Sequence, residues 1–251
     1  MLGSRRWRFA LLIVLLLSLG GNGFLAWMVR EQYRGMVRVR LDPTSEVRFA
    51  KLNAELPPAK VAEKRIVFAG ASRIDMWRNL PTAAGCQMVN RGQSHNTSAQ
   101  LMLRLNRDVI ALKPDIVYLE IGVNDLKAIG VLPDEERTII DRLKANRMAI
   151  VDRLTKAGIH VIVSTIYPFG DVSLARRPVW SDRTLDAREE INREIRQINR
   201  PLVTVFDADP LFSVNGRMKS EYQLDELHLN DLGYETLNRT MIPVIEGLIR
   251  K

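Results

Sequence analysis

Ile116-Val117-Tyr118-Leu119-Glu120-Ile121-Gly122-Val123-Asn124-Asp125 is a short β-branched and aromatic run that stops at a glycine and opens onto polar residues. A run this apolar, closed by a turn, suits a strand buried on both faces. The same shape recurs. Ile66-Val67-Phe68-Ala69 ends in Gly70-Ala71-Ser72, and Gln87-Met88-Val89-Asn90 ends in Arg91-Gly92. Val161 to Ile166 and Leu202 to Phe206 are two further runs. Between them lie stretches with apolar residues at helical spacing: Ser98 to Leu112, Asp134 to Ala157 and Thr184 to Asn199, with Asn230 to Ile249 closing the chain. Strand alternating with helix predicts an α/β layer fold on a five-stranded, mostly parallel sheet.

Upstream the pattern changes. Residues 1–8 form a short basic tail, and 9–29 are almost wholly apolar, broken by Ser18, Asn22 and small glycines. About 20 such residues are enough to span a bilayer. The run continues past the weak cleavage site Ser18-Leu19-Gly20, which favours an uncleaved transmembrane signal anchor over a signal peptide. Arg30, Arg34, Arg38 and Arg40 follow the span, so both flanks are basic and the charge rule for orientation nearly cancels. The expected arrangement has the N-terminus inside and the body outside the cytoplasm. Residues 30–63 read as a juxtamembrane stalk punctuated by Pro43, Pro57 and Pro58, with a short helix around Glu46 to Leu56. The domain carrying the chemistry is then 64–251.

The net charge of the 251-residue chain is +8, but its arginines are scattered, with no basic block interleaved with aromatics. That pattern argues for a solvated surface with affinity for anionic lipid or glycan, and against nucleic acid as a partner. Cys86 is the only cysteine, so no intramolecular disulfide forms.

In a parallel sheet, ligands bind beyond the C-terminal ends of the strands. The polar residues of this chain fall there. Gly70-Ala71-Ser72 presents a hydroxyl, Asn90-Arg91-Gly92 an unobstructed backbone N–H, and Gly122-Val123-Asn124-Asp125 a side-chain amide. Near the C-terminus, Asp225 stands three residues before His228. A carboxylate at that spacing can accept from imidazole Nδ1–H, fix the tautomer and leave Nε2 as a base. Each piece alone has an ordinary structural reading: a helix cap for Ser72, a turn for Gly92, an Asx-turn for Asn124, a surface histidine for His228. Asp225, Glu226, His228 and Asp231 could be a metal cluster, but nothing supplies a second ligand group. Gly70-Ala71-Ser72-Arg73 lacks a P-loop lysine and a GxGxxG run, which argues against a nucleotide site.

The four pieces, in this order, resemble the sequence blocks of the GDSL/SGNH hydrolase superfamily from about Arg65 to Ile249. The resemblance implies a flavodoxin-like three-layer fold and a serine esterase. It implies Ser72 as nucleophile, His228 as base, Asp225 as its orienting acid, and oxyanion donors from Ser72 N–H, Gly92 N–H and the Asn124 side chain. No metal or cofactor is implied. The residue before the serine is usually Asp in that family, and here it is Ala71. With the anchor, the expected substrate is an ester in or near the envelope, an O-acetylated glycan or a lipid. The alternatives are acyl transfer at the same site, or a non-catalytic glycan-binding or scaffold module.

Other residues read as structural. Met76, Trp77 and Leu80 suit the core, His95 a loop and His160 a strand start. Pro168 to Arg183, with Arg176, Arg177 and Trp180, is either a solvated loop or a lid or anionic-substrate subsite. Asn96-Thr97-Ser98 and Asn238-Arg239-Thr240 match the glycosylation pattern, which is common by chance.

Overall fold

The computed structural model describes residues 2–60 and 62–250. The chain divides into two compact units, Met1–Glu46 and Val47–Lys251. The first is essentially one helix, α1 (Leu2–Leu41), whose apolar side chains from Phe9 to Val29 are exposed. It is the one helix among the described residues long and apolar enough to cross a membrane, judged by length and composition.

The second unit is a three-layer α/β domain. Five parallel strands, β1 (Lys64–Gly70), β2 (Cys86–Gly92), β3 (Ile116–Glu120), β4 (His160–Ser164) and β5 (Val203–Phe206), pair in the order β2-β1-β3-β4-β5. This is the predicted α/β fold with its five-stranded parallel sheet. The order reverses direction between β1 and β3, and a crevice opens at such a switch point. Ser72 follows β1 and Asn124 follows β3, so the topology alone sets these residues on either side of it.

Side-chain alternation divides the core into two layers. Val67, Ala69, Val117, Leu119, Val161 and Val163 face one cluster with residues of α4 (Ser98–Asp108), α6 (Glu136–Lys156) and α7 (Arg183–Arg196). Ile66, Phe68, Ile116, Tyr118, Ile162 and Phe206 face the other, with α9 (Asp231–Ile249). Fully burying one such side chain is worth about 1.5–3 kcal/mol. Helix starts are set locally: Thr97 caps α4 with Gln100 in a capping box, and the Asn230 side chain accepts from Gly233 N–H at the start of α9.

The region read as a stalk over 30–63 divides. Its first part continues α1 to Leu41. Its second part holds α2 (Glu46–Ala54), whose Phe49 is fully buried beneath the Arg104 guanidinium at 4.8 Å. Arg48 reaches Asp75 and Gln93, each at 2.7 Å, and Asn53 reaches Asp108. A phenylalanine flanked by polar residues carries no period long enough to reveal that burial. The other additions are short: α3 (Ser72–Asp75), α5 (Val123–Lys127), α8 (Asp209–Phe212), and an antiparallel pair β6 (Ser213–Val214) and β7 (Arg217–Met218).

Trp77 is buried in the core as expected, and His160 Nε2 lies 2.8 Å from Thr204 Oγ1. Asn96 is also buried, its side-chain oxygen accepting from Arg104 Nε, so the first glycosylation pattern lies in the interior.

Candidate active site

Strand β1 delivers the chain to Gly70, whose neighbours leave no room for a side chain. A Cβ there would stand 2.1 Å from the Glu120 carbonyl oxygen. The chain then turns through buried Ala71 into α3, so Ser72 sits at the N-terminal end of a one-turn helix. Ser72 is itself only 7% exposed. From the opposite end of the sequence, the loop before α9 brings His228 to it. His228 Nε2 lies 2.8 Å from Ser72 Oγ, and His228 Nδ1 lies 2.7 Å from Asp225 Oδ2. With Nδ1–H donating to the carboxylate, Nε2 is the acceptor and the serine hydroxyl donates.

Asp225 is held as an ion. Burial pushes its carboxyl upward, but the hydrogen bonds from the His228 ring and from the Leu227 and His228 N–H groups outweigh it. Together they keep its pKa below the usual carboxylate value. The loop is closed by Leu224 N–H donating to the His228 carbonyl and Asn230 N–H to that of Tyr222.

Beneath Ser72, His228 and Asp225 lies a buried charge network that the sequence pattern does not reveal. Arg73, fully buried, donates through Nε to the Leu227 carbonyl at 2.7 Å and through Nη1 to Glu120 Oε1 at 3.3 Å. It also donates to the carbonyls of Tyr167 and Pro168 and lies over the Tyr167 ring. Tyr234 OH on α9 donates to the Arg73 carbonyl. Burial raises the Glu120 pKa, against the pull of Arg73 and Arg147, and burial lowers that of Arg147 to about 10. A charged residue inside a strand gives no sign in one sequence that its partner is the residue after Ser72.

Three of the expected donors are placed as follows. Ser72 N–H, at the start of α3, donates to no acceptor among the described residues. Asn124 Nδ2 donates to the Asn96 carbonyl at 3.0 Å, which leaves its second N–H. The N–H of Gly92, expected as an oxyanion donor, is already bonded to Asn90 Oδ1 at 2.8 Å. Gly92 is instead a packing glycine: a Cβ would stand 2.1 Å from the Asp75 backbone N. Along the loop that follows, Gln93 N–H donates to Gly70 O, Ser94 N–H to Asp75 and Asn96 N–H to Gln93 O. The N–H left without an acceptor among the described residues is that of His95, held at φ +67°.

That loop is pinned at both ends by carboxylates. Asp75 accepts from Ser94 N–H and Oγ–H, and Asp125 accepts from Ser98 N–H and Oγ–H. Burial raises the Asp75 pKa, but Arg48 and Ser94 bring it to a net value below normal; for Asp125 burial wins and the net shift is upward. Among the described residues no group of three or more His, Cys, Asp or Glu side chains is placed to hold a metal ion.

A family model described as the GDSL-like lipase/acylhydrolase family matches residues 67–236. An acetylxylan esterase from Geobacillus stearothermophilus is 29% identical over 164 residues, covering 63% of this chain and 71% of the relative. A GDSL-like lipase from Bacteroides thetaiotaomicron aligns over 82% of this chain and 98% of its own, with a TM-score of 0.66 at 21% identity. An acetylxylan esterase from G. stearothermophilus, solved as a catalytic mutant with serine replaced by alanine, aligns over 72% of this chain and 93% of its own. Its TM-score is 0.51 at 21% identity, and a second catalytic mutant of it replaces an aspartate. The family match covers the whole stretch from β1 through the Asp225–His228 loop into α9, and on that ground the chain belongs to the GDSL-like lipase/acylhydrolase family.

Proposed function

We propose that this chain is a membrane-anchored serine esterase that removes small acyl groups, acetyl foremost, from hydroxyls of an envelope glycan. The observation that carries the reading is the continuous line from Asp225 through His228 to Ser72 Oγ, with both links at hydrogen-bond length. The acetylxylan esterase relative supports acetyl as the acyl group. The exposed apolar α1 supports an anchor.

In this mechanism His228 Nε2 takes the Ser72 proton as Oγ attacks the ester carbonyl. The resulting oxyanion accepts from Ser72 N–H, from the free N–H of the Asn124 amide and, in the place first assigned to Gly92, from His95 N–H. His228 passes the proton to the leaving alcohol. Water, deprotonated by the same imidazole, then releases the acid from the acyl-serine. Asp225 stays ionised throughout and stabilises the imidazolium.

Ala71 removes a carboxylate from the turn without leaving a polar gap, because the methyl is packed in the apolar core. Asp75 and Asp125 fix the neighbouring loop. A serine-reactive fluorophosphonate tests the reading. Wild-type protein should label and hydrolyse p-nitrophenyl acetate, and folded Ser72→Ala should do neither. Labelling that survives in Ser72→Ala would sink it, and absence of labelling in folded wild type would favour a non-catalytic binding module.

A further inference from the structure

Beside the triad lies a cavity of about 240 Å³ lined by Lys127, Ala128, Val131, Arg176, Val179, Trp180 and Glu226. Three features tie it to the elements that carry the candidate site. Glu226 directly follows Asp225. Lys127 is three residues after Asn124 on α5, a spacing that sets both on one helix face. The Lys127 ammonium also lies near enough to Asp225 and Glu226 to feel their charge.

The wall is built rather than draped. Gly130 lets the chain press against the 176–180 loop so closely that a Cβ would stand 2.3 Å from the Val179 carbonyl oxygen. Arg176 Nε meets Glu226 Oε1 at 3.1 Å, tying that loop to the one carrying His228. Trp180 is braced edge-on against Phe169 at 5.2 Å between ring centroids. The Glu226 side chain, 7% exposed, is spent on Arg176.

The lining therefore carries two cations and one carboxylate, and Lys127 is the cation left over. Among the described residues no carboxylate forms an ion pair with it. Burial, and then the nearby Arg176 charge, lower its pKa. Holding a partly buried ammonium beside a guanidinium, with the neighbouring carboxylates Asp225 and Glu226 already engaged by His228 and Arg176, costs stability. Such a group is a functional-site candidate when it faces a cleft.

We propose that this cavity is a subsite for a carboxylate on the alcohol part of the ester, that of an acidic sugar, with Lys127 as its counter-ion and Trp180 as the wall against the sugar ring. The inference rests on the esterase reading above and narrows its substrate to O-acylated acidic glycans. An aromatic wall beside a cation suits a ring with an apolar face and a charged edge.

The test uses the full chain in neutral detergent and compares three esters: an O-acetylated oligouronate, the same oligosaccharide with its carboxyls reduced to alcohols, and a short-chain phospholipid. Wild type should favour the acidic over the reduced sugar in kcat/KM by about tenfold to a hundredfold, the worth of one charge-assisted hydrogen bond. Lys127→Met should bring that ratio close to one, and Lys127→Arg should restore it. Binding of the deacetylated oligouronate to Ser72→Ala, followed by Trp fluorescence, should weaken in the same order. A wild-type ratio near one, a ratio indifferent to Lys127→Met, or a preference for the phospholipid would each overturn the subsite. If p-nitrophenyl acetate is also untouched, the esterase reading fails with it; the fluorescence titration then judges the pocket independently.

Discussion

Arg73 Nε donates to the carbonyl of Leu227 at 2.7 Å, which joins the residue after Ser72 to the residue before His228 across the fully buried interior. The segments carrying Ser72 and His228 are therefore joined by one guanidinium, whose charge is met by Glu120 below. Arg73→Met should strip buried Glu120 of its ion-pair partner, leaving only the smaller pull of Arg147, and destabilise the domain by about 3–5 kcal/mol. Adding Glu120→Gln should recover part of that loss. Thermal unfolding of the two single variants and the double would measure the coupling; additive effects would show that the pair is not energetically linked.

Asp225→Asn keeps the shape of the loop but removes the acceptor that fixes the His228 tautomer. Ester turnover should fall on the order of 10⁴, with folding little changed. Steady-state kinetics beside a melting curve would check this. A fall of tenfold or less would mean that the base is oriented by something else.

Asn124→Ala removes the amide proposed as an oxyanion donor and also the bond to the Asn96 carbonyl. Turnover should drop by about 10²–10³ while KM moves little, because the contact strengthens only as charge develops. A change confined to KM would assign Asn124 to substrate binding instead.

Asp75 anchors the loop that carries His95, and its pKa in the folded state is depressed, with Arg48 and Ser94 outweighing burial. A depressed carboxylate contributes stability that is fully present above its unfolded value of about 4 and is lost as pH falls through the lower folded value. The melting temperature of wild type should therefore decline on acidification below about pH 4 more steeply than that of Asp75→Asn. Parallel curves would remove Asp75 from the acid response.

Gly92→Ala would drive a methyl into the Asp75 backbone, where no side-chain rotation can relieve it. Both stability and activity should fall, since α3 carries Ser72 and its far end would have to move away from β2. Wild-type melting and turnover in this variant would show that the approach of α3 to the strand is looser than described.

The strands and long helices were legible because their apolar residues repeat at the period of the element they form. The pairing of Asp225 with His228 was legible because both lie within one turn of chain. Gly92 was read as an open backbone N–H or a turn, and its close packing on Asp75 was not legible: whether a backbone N–H is free depends on which side chain reaches it, and Asn90 reaches Gly92. His95 was hidden for the same reason, since a free N–H leaves no mark on its own side chain. Arg73 and Glu120 lie 47 residues apart and meet only because β1 and β3 are neighbours in the sheet, a fact of topology rather than of spacing. Phe49 was missed because a single buried ring on a short polar helix has no periodicity to detect.

Ser72 and His228 are separated by 156 residues, and every strand of the sheet is laid down between them or before them. During synthesis Ser72 emerges early and His228 late, with only α9 to follow. Until the final loop and α9 dock, Ser72 Oγ has no imidazole beside it. The Ser72–His228 contact therefore cannot exist in the growing chain and forms only when the domain closes.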